Sequence, residues 1–195
     1  MQQAHDQRWT IDDLELFPQP LDDKRYEIIA GELHVSTQPH WMHQLMSTRV
    51  IVALGTWSEG SGGGLVVDAP GVIFAKDEAV APDVAWVSGE RLARVLGGDG
   101  KLHAAPDLVV EILSAGGQNE HRDRVQKLEL YSRRGVEEYW IVDWRDRRLE
   151  VHRRRDAALR HAATLKDGEF LESPLLPGLR LDLARLFGHL PETQI

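Results

Sequence analysis

Cysteine is missing from all 195 residues, which excludes a disulfide scaffold and a thiolate zinc site and favours an intracellular setting. Also missing is any apolar run long enough to span a bilayer. The opening residues, MQQAHDQRWT, lack the basic start and apolar core of a secretory signal. A soluble, cytoplasmic protein without membrane contact is the expectation. Cations are in deficit: 23 Lys and Arg against 31 Asp and Glu leave a net charge of −8, the wrong sign for a strong nonspecific nucleic-acid binder. No internal repeat or low-complexity tract interrupts the chain.

What is present suffices for a real core. A hydrophobic fraction of 42% over this length predicts one domain, 1–195, with its core at about 26–187. The cations, though few, are clustered: six arginines fall between Arg145 and Arg155, and Arg122, Arg124, Lys127, Arg133 and Arg134 form a second group. These runs describe either a basic face on an acidic protein or a solvated helix and hairpin.

Apolar periodicity predicts a hairpin over Tyr26 to Val35 around Ala30-Gly31, then a helix from His40 to Trp57 carrying Leu45, Val50, Ile51 and Leu54. Gly60 to Gly64 precede a strand and lack a following Gly-Lys-Ser/Thr, so they read as a connection and not a phosphate loop. Strands follow at Leu65 to Val67, Val72 to Phe74 and Val84 to Val87, with a short helix at Arg91 to Leu96. Next come DLVVEIL (Asp107 to Leu113), a helix from about Asn119 to Arg134 stopped by Gly135, and EYWIVD (Glu138 to Asp143). Strand, helix and strand in this order predict a parallel pair with a right-handed crossover. Leu149 to Arg153, a turn at Lys166 to Gly168, Leu179 to Leu181 and a short final helix complete the chain.

Glu111 is the anomaly. Apolar neighbours on both sides imply a strand buried on both faces, where an uncompensated carboxylate costs several kcal/mol. It needs a cation, a hydrogen-bond network or a raised pKa; a structural salt bridge to Arg122 or Arg124 serves as well as a metal. Asp83, in Ala81-Pro82-Asp83, is either a strand-opening turn or a second carboxylate. Asp107 lies four residues from Glu111 on the same strand, roughly 13 Å away and too far to share an ion, whereas Asp83 can arrive beside Glu111 from a neighbouring strand. Two hard oxygen ligands with waters and a substrate phosphate suit Mg²⁺, with Mn²⁺ as substitute. Lys127 sits four residues from both Asp123 and Tyr131, beside Val125 and Leu128; it is a surface lysine paired with Asp123 or a group aimed at the carboxylates to assist the attacking water.

RYEIIAGEL, APDVAWV, APDLVVEIL, the helix with Lys127 and Tyr131, and GVEEYWIVD together resemble the Uma-type putative restriction endonuclease family of the PD-(D/E)XK nuclease-like superfamily, over roughly Tyr26 to Leu186. The resemblance implies a mixed α/β, restriction-endonuclease-like fold: a central mixed sheet flanked by helices, with an N-terminal hairpin and extra C-terminal strands. It implies Asp83 and Glu111 as metal ligands and, because Leu113 stands where the superfamily has lysine, Lys127 as a migrated equivalent. Glu27, with Glu32 as the other candidate, corresponds to an N-terminal acidic position of the pattern and is either structural or a further catalytic group adding a ligand directly or through water; His43 with Gln44 resembles a family position near the site. His40 and His43 also read as cap or packing groups, Trp140 and Trp144 as core or dimer contacts, and His121-Arg122-Asp123 as a chance likeness to a kinase loop.

The function expected is metal-dependent endonucleolytic hydrolysis of nucleic acid, with DNA as the substrate and a homodimer as the working form. A noncatalytic nucleic-acid or protein-interaction module with the same fold is the rival, and a hydrolase of other phosphate esters is the third reading.

Overall fold

The computed structural model describes residues 8–14, 16, 24–61 and 63–188. After a single helical turn α1 (Ile11–Leu14), strands β1 (Arg25–Ile29) and β2 (Glu32–Ser36) form the expected hairpin. Both turn residues have positive φ, Ala30 at 52° and Gly31 at 80°, the two-residue turn whose twist matches that of the strands. Helix α2 (Trp41–Ser61) follows, then β3 (Gly64–Asp68), β4 (Val72–Ala75), β5 (Glu78–Val80), β6 (Val84–Ser88), α3 (Gly89–Val95) and β7 (Leu108–Ile112). The crossover is one helix in three parts, α4 (Gly117–His121), a π-helical stretch Arg122–Lys127, and α5 (Leu128–Arg134), and it starts earlier than its sequence predicts. It leads to β8 (Glu138–Asp143), β9 (Arg148–Arg155), β10 (Ala158–Lys166), β11 (Phe170–Ser173), β12 (Leu176–Asp182) and α6 (Leu183–Phe187).

Six strands in the order β10-β9-β8-β7-β6-β3 make the central mixed sheet, antiparallel except for the predicted parallel pair β7 and β8. A second sheet, β2-β1-β5-β4, brings the hairpin against β5, and β11 pairs with β12 alone. On α2 the buried stripe is Met42, Met46, Val50 and Leu54, spaced four apart; Leu45 and Ile51, expected on it, lie at its margin. This stripe packs with Leu108, Val110 and Ile112 of β7 and Trp140 and Val142 of β8. The alternate residues Val109 and Leu113 join Leu130, Tyr131, Tyr139 and Ile141 on the opposite face. β7 is thus buried on both faces, and alternation sends Glu111 toward the crossover helix.

Candidate active site

Antiparallel pairing of Val84 with Val110 and Ala85 with Val109, continued one step, sets Asp83 opposite Glu111. Side-by-side cross-strand positions bring Cβ atoms within about 5 Å. Asp83 is fixed by three donors: Arg25 Nη1 to Oδ1 at 2.9 Å, and the Ile112 amide and His43 Nε2 to Oδ2 at 2.8 and 3.0 Å. Burial alone would raise its carboxyl, but His43, Lys127 and Arg25 overrule that and hold it well below the usual carboxylate range. The same contact holds the His43 imidazole above its usual range against the opposing effect of burial.

Glu111 is 2% exposed. Its Oε1 accepts from Lys127 Nζ at 2.9 Å and from Tyr131 Oη at 2.8 Å, so the expected alternatives, Arg122 and Arg124, are not its partners. Arg122 bonds Asp123, and Arg124 reaches Glu150 and Asp143. Lys127, 1% exposed, also meets Glu27 Oε1 at 3.0 Å and Asp123 Oδ1 at 3.9 Å. It is therefore not a surface lysine, and Val125, expected beside it on an apolar stripe, is exposed instead. One ammonium shared by three carboxylates decides the charge state. Burial pushes the Glu111 carboxyl up, Lys127 only partly offsets this, and the negative charges of Asp83, Asp123 and Glu27 raise it further, to about 8. Lys127, which burial would discharge, is kept charged by Glu111, Glu27 and Asp123. Glu27, despite burial, is held low by Lys127, Arg122 and the Ala81 amide.

Asp83 and Glu111 lie in one cleft of about 510 Å³, with Arg25, His43, Asn119 and Arg122 among its lining. Lys127 and Glu27 do not line it; both sit behind Glu111. Glu32 is exposed, bonds Gln126 and stands apart from the carboxylates. His43 belongs to the site, whereas His40 caps the Met42 amide and stacks on Trp144. Trp140 is core. The expected basic face is largely neutralised: Arg145 pairs with Glu120, Arg148 with Asp143, Arg153 with Glu138, and Arg133 and Arg134 with Glu78.

Sequence reasoning missed Arg25 and gave His43 little weight, since their contacts with Asp83 cross 58 and 40 residues. The spacing of Asp123, Lys127 and Tyr131, four apart, was the available sign of a polar face buried against Glu111. Among the described residues no three His or carboxylate side chains converge as an ion cage. Asp83 and Glu111 offer hard oxygens, and Oε2 of Glu111 receives no hydrogen bond among the described residues. Two carboxylates completed by water and substrate oxygens suit Mg²⁺ better than Zn²⁺.

A family model described as Uma2, "Putative restriction endonuclease", matches residues 11–184. The crystal structure of a putative nuclease belonging to DUF820 from Anabaena variabilis is similar over 91% of this chain and 97% of that chain, with a TM-score of 0.71. At 17% identity this likeness shows the fold. No curated protein matches.

Proposed function

Because the chain belongs to the Uma2 family, described as putative restriction endonucleases, we propose that it is a divalent-metal-dependent nuclease that hydrolyses phosphodiester bonds of DNA, with Asp83 and Glu111 as the metal ligands. The observation that carries this reading is that Asp83, just before β6, and Glu111 of β7 line one cleft, with Lys127 2.9 Å from Glu111. Bound there, Mg²⁺ or Mn²⁺ would polarise a phosphoryl oxygen and make a bound water acidic enough to attack near neutral pH.

The chain's own groups supply the rest. His43, Arg25 and the Ile112 amide fix Asp83 in one orientation. Lys127 and Tyr131 hold Glu111 by Oε1 and leave Oε2 toward the ligand. Lys127 is thereby a positioning and charge-balancing residue, with Glu27 anchoring it from the hairpin. Arg25 and Arg122 line the cleft and can offset the charge on the phosphate under attack. The water oxygen bonds to phosphorus and gives up a proton as the bond to the 3′ oxygen breaks, and the departing 3′ oxygen takes a proton from solvent, so the products are a 5′-phosphate and a 3′-hydroxyl.

Purified protein with plasmid or single-stranded DNA and Mg²⁺ or Mn²⁺ is expected to give metal-dependent cleavage that Asp83→Asn and Glu111→Gln each reduce at least 100-fold. Equal cleavage by Glu111→Ala sinks the reading. A homodimer would place one such site on each strand of a duplex, and sedimentation velocity checks for it. The reading as a noncatalytic module draws on one observation, that Glu111 already has Lys127 and Tyr131 as partners. Calorimetry without any divalent-ion binding would favour it.

A further inference from the structure

Next to the cleft over Asp83 and Glu111 lies a second hollow of about 450 Å³, and Val35, Asn119 and Arg122 line both. One bank of the second hollow is β2, and the other is the first half of the crossover helix. Its outer end is spanned by a hydrogen bond from Gln126 Nε2 to Glu32 Oε2 at 3.0 Å. The hollow joins the carboxylate cleft through the three residues that line both. Its lining differs in kind from the cleft's. Glu32 is engaged by Gln126 and approaches His34 at 3.7 Å. The remaining polar side chains are His34, Gln118, Asn119, His121 and Arg122 beside Gln126: imidazoles, amides and a guanidinium. Amides and a guanidinium match base edges and phosphate, and among the described residues no three His or carboxylate side chains gather as an ion cage.

We propose that this hollow is a subsite for one unpaired nucleotide adjoining the phosphate under attack, with Arg122 at the junction taking the connecting phosphate. The inference rests on the nuclease reading of the neighbouring cleft and narrows its substrate class to nucleic acid unpaired at the cut. The volume falls within the roughly 300–1,000 Å³ of sites that enclose one small organic molecule. A base stacked and paired in a duplex has its pairing edge occupied, whereas an unpaired base offers that edge to side-chain amides. Arg122 spends Nε and Nη2 on Asp123, and a guanidinium has five N–H donors, so it retains donors for a phosphate. The unpaired nucleotide can come from a strand end or from a base flipped out of a duplex.

Four fluorescein-labelled substrates of one sequence test this: a single strand, a blunt duplex, a duplex with a one-nucleotide bulge and a duplex with an overhang. With Mn²⁺ the protein is expected to cut at least one unpaired substrate tenfold or more faster than the blunt duplex. Preference for the bulge identifies a flipped base, and preference for the overhang a strand end. Gly117 lines only the second hollow, and a Cβ there meets nothing within 4 Å. Gly117→Phe is expected to abolish the preference while leaving blunt-duplex cleavage within twofold. Gln118→Ala, at an exposed position of the same hollow, is expected to weaken the preference at least threefold with the fold intact by circular dichroism. Equal losses on all substrates, or an unchanged preference in both variants, overturn the proposal. Anisotropy titrations of the same substrates in Ca²⁺ separate the two readings. Tenfold tighter binding of unpaired substrates that Gly117→Phe removes, with no cleavage, upholds the subsite and ends the nuclease reading; no preference in binding or cutting ends the subsite even where cleavage occurs.

Discussion

Lys127 is the residue on which the buried charges depend. Its ammonium meets Glu27, Glu111 and Asp123, all with side chains about 2% exposed. Removing one partner of a buried ion pair strands the other, at a cost of about 3–5 kcal/mol. Lys127→Met should therefore lose that much stability at pH 7.5, read from urea midpoints; a loss under about 1 kcal/mol would mean the carboxylates discharge at little cost. A second buried group makes a pH-dependent contribution. Burial, then the neighbouring His161, holds the His152 ring below the usual histidine range, and its Nε2 has no hydrogen-bond partner. The unfolded chain takes up this proton near pH 6.5 while the folded chain resists it, so stability falls as pH drops below that point, by at most about 1.4 kcal/mol per pH unit. His152→Gln should lose less stability than the parent between pH 7.5 and 5.5, and parallel urea profiles would refute this. Glu111 was legible as an anomaly because it breaks an apolar run, and Lys127 because it keeps step with Asp123 and Tyr131. The donors to Asp83 were not, since nothing local marks a contact made across a sheet.

At the scale of elements, the crossover helix does two tasks, one at its middle and one at its C-terminus. Its π-helical middle, Arg122–Lys127, buries Asp123 and Lys127 on one side, and wide turns of this kind recur at functional positions. Its C-terminus is closed by Gly135 at φ 92°, in the left-handed region, where any side chain is strained. Gly135→Ala should lower stability by about 1 kcal/mol, measured by thermal or urea unfolding, although a Cβ there meets nothing within 4 Å. Elements with strong period or clear stops were readable: the hairpin, α2, β6, β7, the crossover and β8. β5 was not, because three residues carry no periodicity and β1 meets it through one pair, Ile28 with Ala79. β10 was hidden by the charged and small residues of ALRHAATLK and by a turn in which Asp156, not glycine, takes positive φ.

At the scale of the whole molecule, the charge pattern is acids and arginines paired with each other around one open cleft. Among the described residues, Lys24, Arg25 and Arg122 are the Lys and Arg side chains of the cleft's lining, beside the imidazoles of His40 and His43. Nucleic-acid affinity should therefore fall gently with salt, with a log–log slope of roughly −2 to −3 between 50 and 200 mM, read by anisotropy. A slope near −6 would place a larger basic surface elsewhere.

The burial of Glu111 beneath the crossover helix also bears on how the chain reaches its native state. Parallel strands cannot zip outward from a tight turn; β7 and β8 meet only after the intervening helix has swung across. A carboxylate entering that interior is tolerable only in company with Lys127, so the docking of the helix and the closure of the strand pair belong to one cooperative step. The carboxylate pair itself is set by the register of β6 on β7, but a chain that has not completed its crossover lacks Lys127 beside Glu111 and so holds the pair without its buried counter-charge.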